Sequence, residues 1–128
     1  MVDLAAGVDV LVVGGGNAAL CAAISARRSG ASVLVLEAAP KFYRGGNTRH
    51  TRNMRCAHDH ATDTLTGPYT EEELWTDLLR VTGGQTDETL ARHMIHESKE
   101  MLTWIGEQGV RFQPSLDRKS TRLNSSHG

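Results

Sequence analysis

No stretch of this sequence stays apolar for the roughly 18 to 20 residues that a membrane-spanning helix needs, and its N-terminus lacks the basic and then apolar order of a secretory leader. Cysteine is nearly absent. Cys21 and Cys56 lie in dissimilar surroundings, one on an expected helix and one in a polar loop, which gives no disulfide framework and suits a reducing compartment. A soluble cytoplasmic protein is therefore the expectation. Nor is there a surplus of charge: 14 Lys and Arg stand against 15 Asp and Glu, for a net charge of −1. No overall basic balance points to nucleic acid or to an anionic membrane surface. Internal repeats are missing too. At 128 residues the chain has room for one ordinary domain, and a function that requires two complete domains would need further chain.

What is present is concentrated in residues 9–37, DVLVVGGGNAALCAAISARRSGASVLVLE. Residues 8–13 are a valine-rich apolar run of the kind found in a central parallel strand covered on both faces. They lead directly into Gly14, Gly15 and Gly16, where missing Cβ atoms allow a sharp turn and close approach to a phosphate. Residues 18–29 read as an alanine-rich helix, with Leu20, Ala23, Ile24 and Arg27 on successive turns and Gly30 as its stop. Residues 33–36 form a second buried strand closed by Glu37, and a right-handed crossover sets it beside the first. Strand, glycine turn, helix, strand and terminal acid is the order of a dinucleotide-binding βαβ unit. The expected fold is α/β and Rossmann-like, of the FAD/NAD(P)-binding kind.

The chemistry follows from that order. A helix N-terminus presents amides with no intrahelical acceptor and a partial positive charge of roughly half an elementary unit, so a pyrophosphate over Gly16, Asn17 and Ala18 would be held without a lysine. Gly14 and Gly16 supply the turn, and Ala19 stands at the third motif position, where helix and strand pack closely. Glu37, about twenty residues past the turn, can accept hydrogen bonds from both ribose hydroxyls, and its charge would repel a 2′-phosphate. FAD or NAD is favoured over NADP. These residues alone do not choose between the two.

Beyond Pro40 the pattern changes. Residues 41–60 are polar, with Gly45, Gly46, Asn47 and arginines at 44, 49, 52 and 55, and a loop of that size in a compact protein is usually functional or disordered. Arg44, Arg49, Arg52 and Arg55 suit bidentate pairing with a carboxylate ligand, although a solvated loop is the simpler reading. Cys56, His58 and His60 lack the spacing of common zinc motifs, and no metal is expected. Thr70 and Glu73 form a capping box ahead of a helix whose apolar face carries Leu74, Trp75, Leu78 and Leu79 and which ends at Gly83-Gly84. A second helix is expected from Thr86 or Asp87 to Gly109, with Leu90, Met94, Met101, Leu102 and Ile105 on its apolar side and His93 and His96 at its surface. Trp75 and Trp104 read as core, Cys21 as a small buried residue, and Val110 as the start of another strand.

From Asp117 the composition shifts abruptly. The run DRKSTRLNSSH has Leu123 as its apolar anchor and should carry no regular structure. It resembles the translation of a sequencing-library adapter, so residues 117–128 are expected to be a non-native tail, and residues 1–116 the N-terminal part of a longer FAD-binding domain. Arg118, Lys119 and Arg122 against Asp117 make the tail +2, which leaves −3 on the rest of a chain of net −1.

Residues 9–40, followed by RGGNTRHTRN at 44–53, resemble the fumarate reductase and succinate dehydrogenase flavoprotein superfamily. Within it, FYRGGNTRHTRNMR, LTGPYTEEELWTDLLRVTGG and WIGEQGVRFQPS are most similar to the FAD-dependent tricarballylate dehydrogenase branch. The resemblance runs over residues 9–116 and implies an FAD-binding fold that is incomplete at its C-terminus. It further implies that Glu37 and Ala38 meet the adenosine ribose, while Gly45, Gly46, Asn47 and Thr48 wrap the pyrophosphate and approach the flavin. Asn47 aligns with the histidine that carries flavin covalently in membrane-bound relatives, with His50 three residues further on. Non-covalent FAD is therefore expected.

The implied activity of an intact enzyme is oxidation of tricarballylate to cis-aconitate by hydride transfer to FAD, passing electrons on to an unspecified acceptor. The base and the carboxylate-binding residues would lie further along the chain, so no catalytic residue is assigned. These 128 residues alone are expected to bind FAD weakly or not at all. Two alternatives remain open: an NAD-dependent dehydrogenase would share the Gly14 to Glu37 signal without needing the loop after it, and a non-catalytic nucleotide-binding module would share both.

Overall fold

The computed structural model describes residues 7–114, 119 and 121–123, which belong to two compact units, Met1–Thr51 and Arg52–Gly128. In the first, β1 (Val10–Val13) and β2 (Val33–Leu36) pair in parallel, with Val10 opposite Val33 and Val13 opposite Leu36. The two strands start together because Asp9 and Ser32 bind each other. The Asp9 carboxylate accepts from the Ser32 amide at 2.8 Å and its hydroxyl at 2.7 Å, and the Asp9 amide donates back to Ser32 Oγ at 3.0 Å.

Helix α1 (Asn17–Arg28) connects the strands. It stops where the sequence places the stop. Gly30 adopts φ 88°, its amide returns to Arg27 O at 3.0 Å and that of Ala31 to Ala26 O at 3.1 Å, the bond pair that closes a helix on a left-handed residue. The expected βαβ unit is thus present. Its strands, however, are not covered on both faces. Val12 is buried, whereas Leu11 is 55% and Val13 79% exposed, because side chains alternate across a strand and α1 covers a single face. Cys21 on α1 is half-buried, not buried. Past Pro40 the loop is more ordered than its composition suggests: Tyr43 and Arg44 donate back to Pro40 O, and Gly46–His50 forms a 3-10 helix.

The second unit is built on α2 (Glu71–Thr82) and α3 (Glu88–Glu97), which pack together. The capping box at Thr70 forms as expected: the Glu73 amide donates to Thr70 Oγ1 at 3.2 Å and the Thr70 amide to Glu73 Oε2 at 3.0 Å. Leu74 and Trp75 join Ala57, Tyr69, Ala91 and Ile95 in the core, with Leu78 and Leu79 packed against it. α3 is capped by Asp87, whose carboxylate accepts from the Leu90 amide at 2.8 Å.

Two expectations for this unit need correction. The single helix from Asp87 to Gly109 is divided into α3, a 3-10 turn at Ser98–Glu100 and α4 (Met101–Glu107). At the break, Ser98 Oγ donates to Ile95 O at 2.6 Å and accepts from the Ala57 amide at 2.9 Å, an alternative bonding pattern that tightens the helical turn. The buried stripe of α3 is Ala91 and Ile95, whereas Leu90 and Met94 are 67% and 49% exposed. One residue is about 100° of rotation on a helix, so the apolar side is turned by that amount from the expected one. Trp104 is half-buried.

Strands β3 (Asn53–Met54), β4 (Phe112–Gln113) and β5 (Thr121–Leu123) form an antiparallel sheet in the order β3-β5-β4. β4 lies where a strand is expected after Val110. β5 falls in the stretch expected to carry no regular structure, and Thr121–Leu123 correct that expectation by pairing with β3 and β4. The remaining residues of 117–128, Lys119 apart, lie outside those described. No helix among the described residues is long and apolar enough to cross a membrane.

Candidate functional site

The residues singled out for cofactor contact meet at the C-terminal end of the β1–β2 pair, which is where open parallel sheets bind ligands. β1 runs into Gly14, whose amide donates to Leu36 O at 2.7 Å and whose φ of 111° is one that side chains disfavour. Gly16 then caps α1, and intrahelical bonding begins with the Leu20 amide to Gly16 O at 3.0 Å. The amides of Asn17, Ala18 and Ala19 therefore have no acceptor within the helix. Gly16 brings no side chain to cap them.

The cap comes from the second loop. Thr48, on the 3-10 helix, accepts the Asn17 amide on its Oγ1 at 3.0 Å. A Cβ on Gly16 would lie 3.3 Å from that oxygen and 3.5 Å from Gly45 O, so the bare glycine is what lets this loop approach. Gly45 itself turns through φ 100°. Glu37 fastens the other end of the loop: its Oε2 accepts the Gly45 amide at 3.3 Å and its Oε1 the Ala39 amide at 2.9 Å. The amide of Ala39, and next that of Gly45, hold its carboxyl below the usual glutamate range.

The structure thus brings Gly14, Gly16, Asn17, Glu37, Gly45 and Thr48 into one cradle; Ala18, Ala38, Gly46 and Asn47 follow them along the chain, all exposed. For Gly15 the sequence predicts a turn and close approach to a phosphate, but not its contact with Glu37. A Cβ there would sit 2.7 Å from Glu37 Oε2, so the carboxylate rests against the turn at the nominally free position of the Gly-x-Gly motif. Three consecutive glycines where the motif asks for two were the available signal.

The other candidates separate. Arg49 lies 5.6 Å from the ring centres of both Phe42 and Tyr43, and Arg44 and Arg52 are exposed. In the second unit, Arg55 comes within 3.9 Å of Asp77. Cys56 is buried, which pushes its thiol up to about 11, and both ring nitrogens of His58 face carbonyls, those of Cys56 at 2.8 Å and Gly67 at 2.7 Å. His93 and His96 are surface residues.

Residues 9–127 match the FAD binding domain family. The chain belongs to that family. Its βαβ unit is accordingly part of an α/β FAD-binding fold, and FAD is its cofactor. Among curated relatives, it is 31% identical to a NADH:fumarate oxidoreductase of Klebsiella pneumoniae (strain 342) over 93% of this chain and 13% of that one. It is 29% identical to a digoxin reductase of Eggerthella lenta over 82% and 19% of the two chains. To a 3-oxo-5-alpha-steroid 4-dehydrogenase of Comamonas testosteroni it is 36% identical over 84% and 20%. This FAD-binding domain therefore spans no more than a fifth of these oxidoreductases. No solved structure matches it.

Proposed function

We propose that the intact protein is an FAD-dependent oxidoreductase acting on CH–CH groups, with tricarballylate as the substrate and cis-aconitate as the product. The observation that carries the cofactor part is the joined cradle, a helix N-terminus with a second glycine loop fastened onto it. A plain NAD-dependent dehydrogenase needs the first element and not the second. In this reading the α1 amides around Ala18 receive the pyrophosphate, Glu37 and Ala38 face the adenosine ribose, and Gly45, Gly46 and Asn47 line the way to the flavin. Thr48 keeps its own hydroxyl proton to donate, because its oxygen is the acceptor of the Asn17 amide. FAD, held non-covalently, supplies the hydride acceptor; the protein fixes and orients it. The tricarballylate part rests on the resemblance of residues 42–55, 65–84 and 104–115.

The test is anaerobic titration of the full-length flavoprotein. Tricarballylate should bleach the flavin band, and acid precipitation should release FAD into the supernatant. Bleaching by a 3-oxo steroid alone, or full reoxidation by fumarate with no response to tricarballylate, refutes the substrate; flavin that stays with the precipitate refutes non-covalent binding. The same reading holds residues 117–128 to be foreign. The family match through residue 127 and the pairing of β5 weigh on the other side, although backbone pairing by three residues is open to almost any sequence. Sequencing of genomic DNA prepared without adapters decides it, and recovery of the same codons would sink the idea.

A further inference from the structure

Glu37 lies against Gly15, and Thr48 against Gly16, through the chain's own atoms. We propose that Glu37 and Thr48 latch the second loop onto the glycine turn in the cofactor-free protein, and that Gly15 and Gly16 are bare in order to admit this latch as well as a phosphate. The proposal rests on the FAD reading for its purpose, but its content is a set of contacts that the chain makes with itself. Each latch joins a group that would otherwise lack a partner within its own element. The Asn17 amide is an orphan of the helix start, and Thr48 meets it from 31 residues away. The Gly45 amide reaches a carboxylate 8 residues back, while the Ala39 amide keeps that carboxylate from swinging out. Gly45 and Thr48 are themselves tied by a bond from the Thr48 amide to Gly45 O at 3.2 Å, so the two attachments act on one rigid turn.

Coupling follows from that geometry. With one attachment cut, the turn is held at a single point, and the other bond opens more often. Glu37 and Thr48 are then positioning residues, since they pre-arrange the cradle before any ligand arrives and lower the ordering cost of binding.

Amide hydrogen exchange on the full-length protein stripped of FAD tests this, read at Asn17, Ala39 and Gly45. Thr48→Val keeps the shape and removes the acceptor; it should speed exchange at Asn17 roughly fivefold, the worth of one ordinary hydrogen bond, and also speed it at Gly45. Glu37→Gln, which leaves one oxygen for two amides, should speed Gly45 or Ala39 and also Asn17. Gly15→Ala should imitate Glu37→Gln by displacing the carboxylate. Thr48→Ser should restore protection. Changes confined to the amide that lost its own partner, or no change at all, would overturn the latch. Should Thr48→Val melt α1, seen as lost protection at Ala23, the Glu37→Gln and Gly15→Ala results decide alone. The flavin content of the full-length protein judges the cofactor reading and does not enter this comparison.

Discussion

Asp77 is a carboxylate on a helix side that faces inward, and four groups converge on it. Tyr69 donates its hydroxyl at 2.7 Å, Lys119 its ammonium at 2.7 Å and Arg80 its guanidinium at 2.8 Å, with Arg55 at 3.9 Å. The Lys119 bond first, and then that of Tyr69, hold the Asp77 carboxyl down to about 2, against an ordinary value of 3.8. Because the folded value lies below the unfolded one, the folded form is favoured fully above about pH 4, and that contribution is lost as pH falls toward 2. Urea titrations at pH 5, 3 and 2 should show the midpoint falling across this window, and the fall should shrink in Asp77→Asn. Tyr69→Phe should cost about 1.5 to 3 kcal/mol at pH 7, the net worth of one hydrogen bond to a charged group. Of this cluster the sequence shows the Arg80 pair alone, three residues along the same helix. Asp77 otherwise reads as one more polar residue on an amphipathic helix, because Tyr69, Lys119 and Arg55 come from outside α2, along paths that no periodicity encodes.

At the scale of elements, what was legible is what is local. The Thr70 capping box, the Gly30 and Gly83 stops and the strand-turn-helix order each depend on residues within a turn or two of one another, and each stands where it was expected. The inward side of α3 depends instead on where α2 lies. Leu90 and Met94 look like core by hydrophobicity, but Ala91 and Ile95 hold the position against Trp75 and Tyr69. Ile95→Ala should therefore destabilise by about 2 to 4 kcal/mol, whereas Leu90→Ala should stay within roughly 0.5 kcal/mol. Equal losses in thermal or urea unfolding would show that α3 is turned the other way. The loop at Gly45–Thr48 sits between these cases. Its glycines and its importance were readable, but its attachment to the helix start was not, since Thr48 lies too far along the chain for any spacing rule.

For the whole molecule, the informative surface is the open face of β1 and β2. Leu11, Val13 and Leu36 are 55%, 79% and 47% exposed, an unusual state for a parallel pair, whose strands are normally covered on both sides. Curated relatives are about five to eight times as long as the matched stretch, given shares of 20% and 13%. This chain in isolation should therefore bind a hydrophobic dye such as ANS and self-associate at micromolar concentration. Leu11→Thr with Val13→Thr should reduce both. A chain that stays monomeric and dye-free without those substitutions would mean that the face is covered in solution.

The two attachments of the cradle also differ in how far apart along the chain their partners lie. Glu37 and Gly45 close a loop of 8 residues, Asn17 and Thr48 one of 31. Closing the longer loop first costs about 1 kcal/mol more in chain entropy, so the cradle assembles from β2 outward, the carboxylate docking before the hydroxyl arrives. In folding kinetics Glu37→Gln should then slow refolding of the first unit, while Thr48→Val should leave refolding nearly unchanged and hasten unfolding. The acid that a sequence reader assigns to a sugar would thus also set the order in which the site is built.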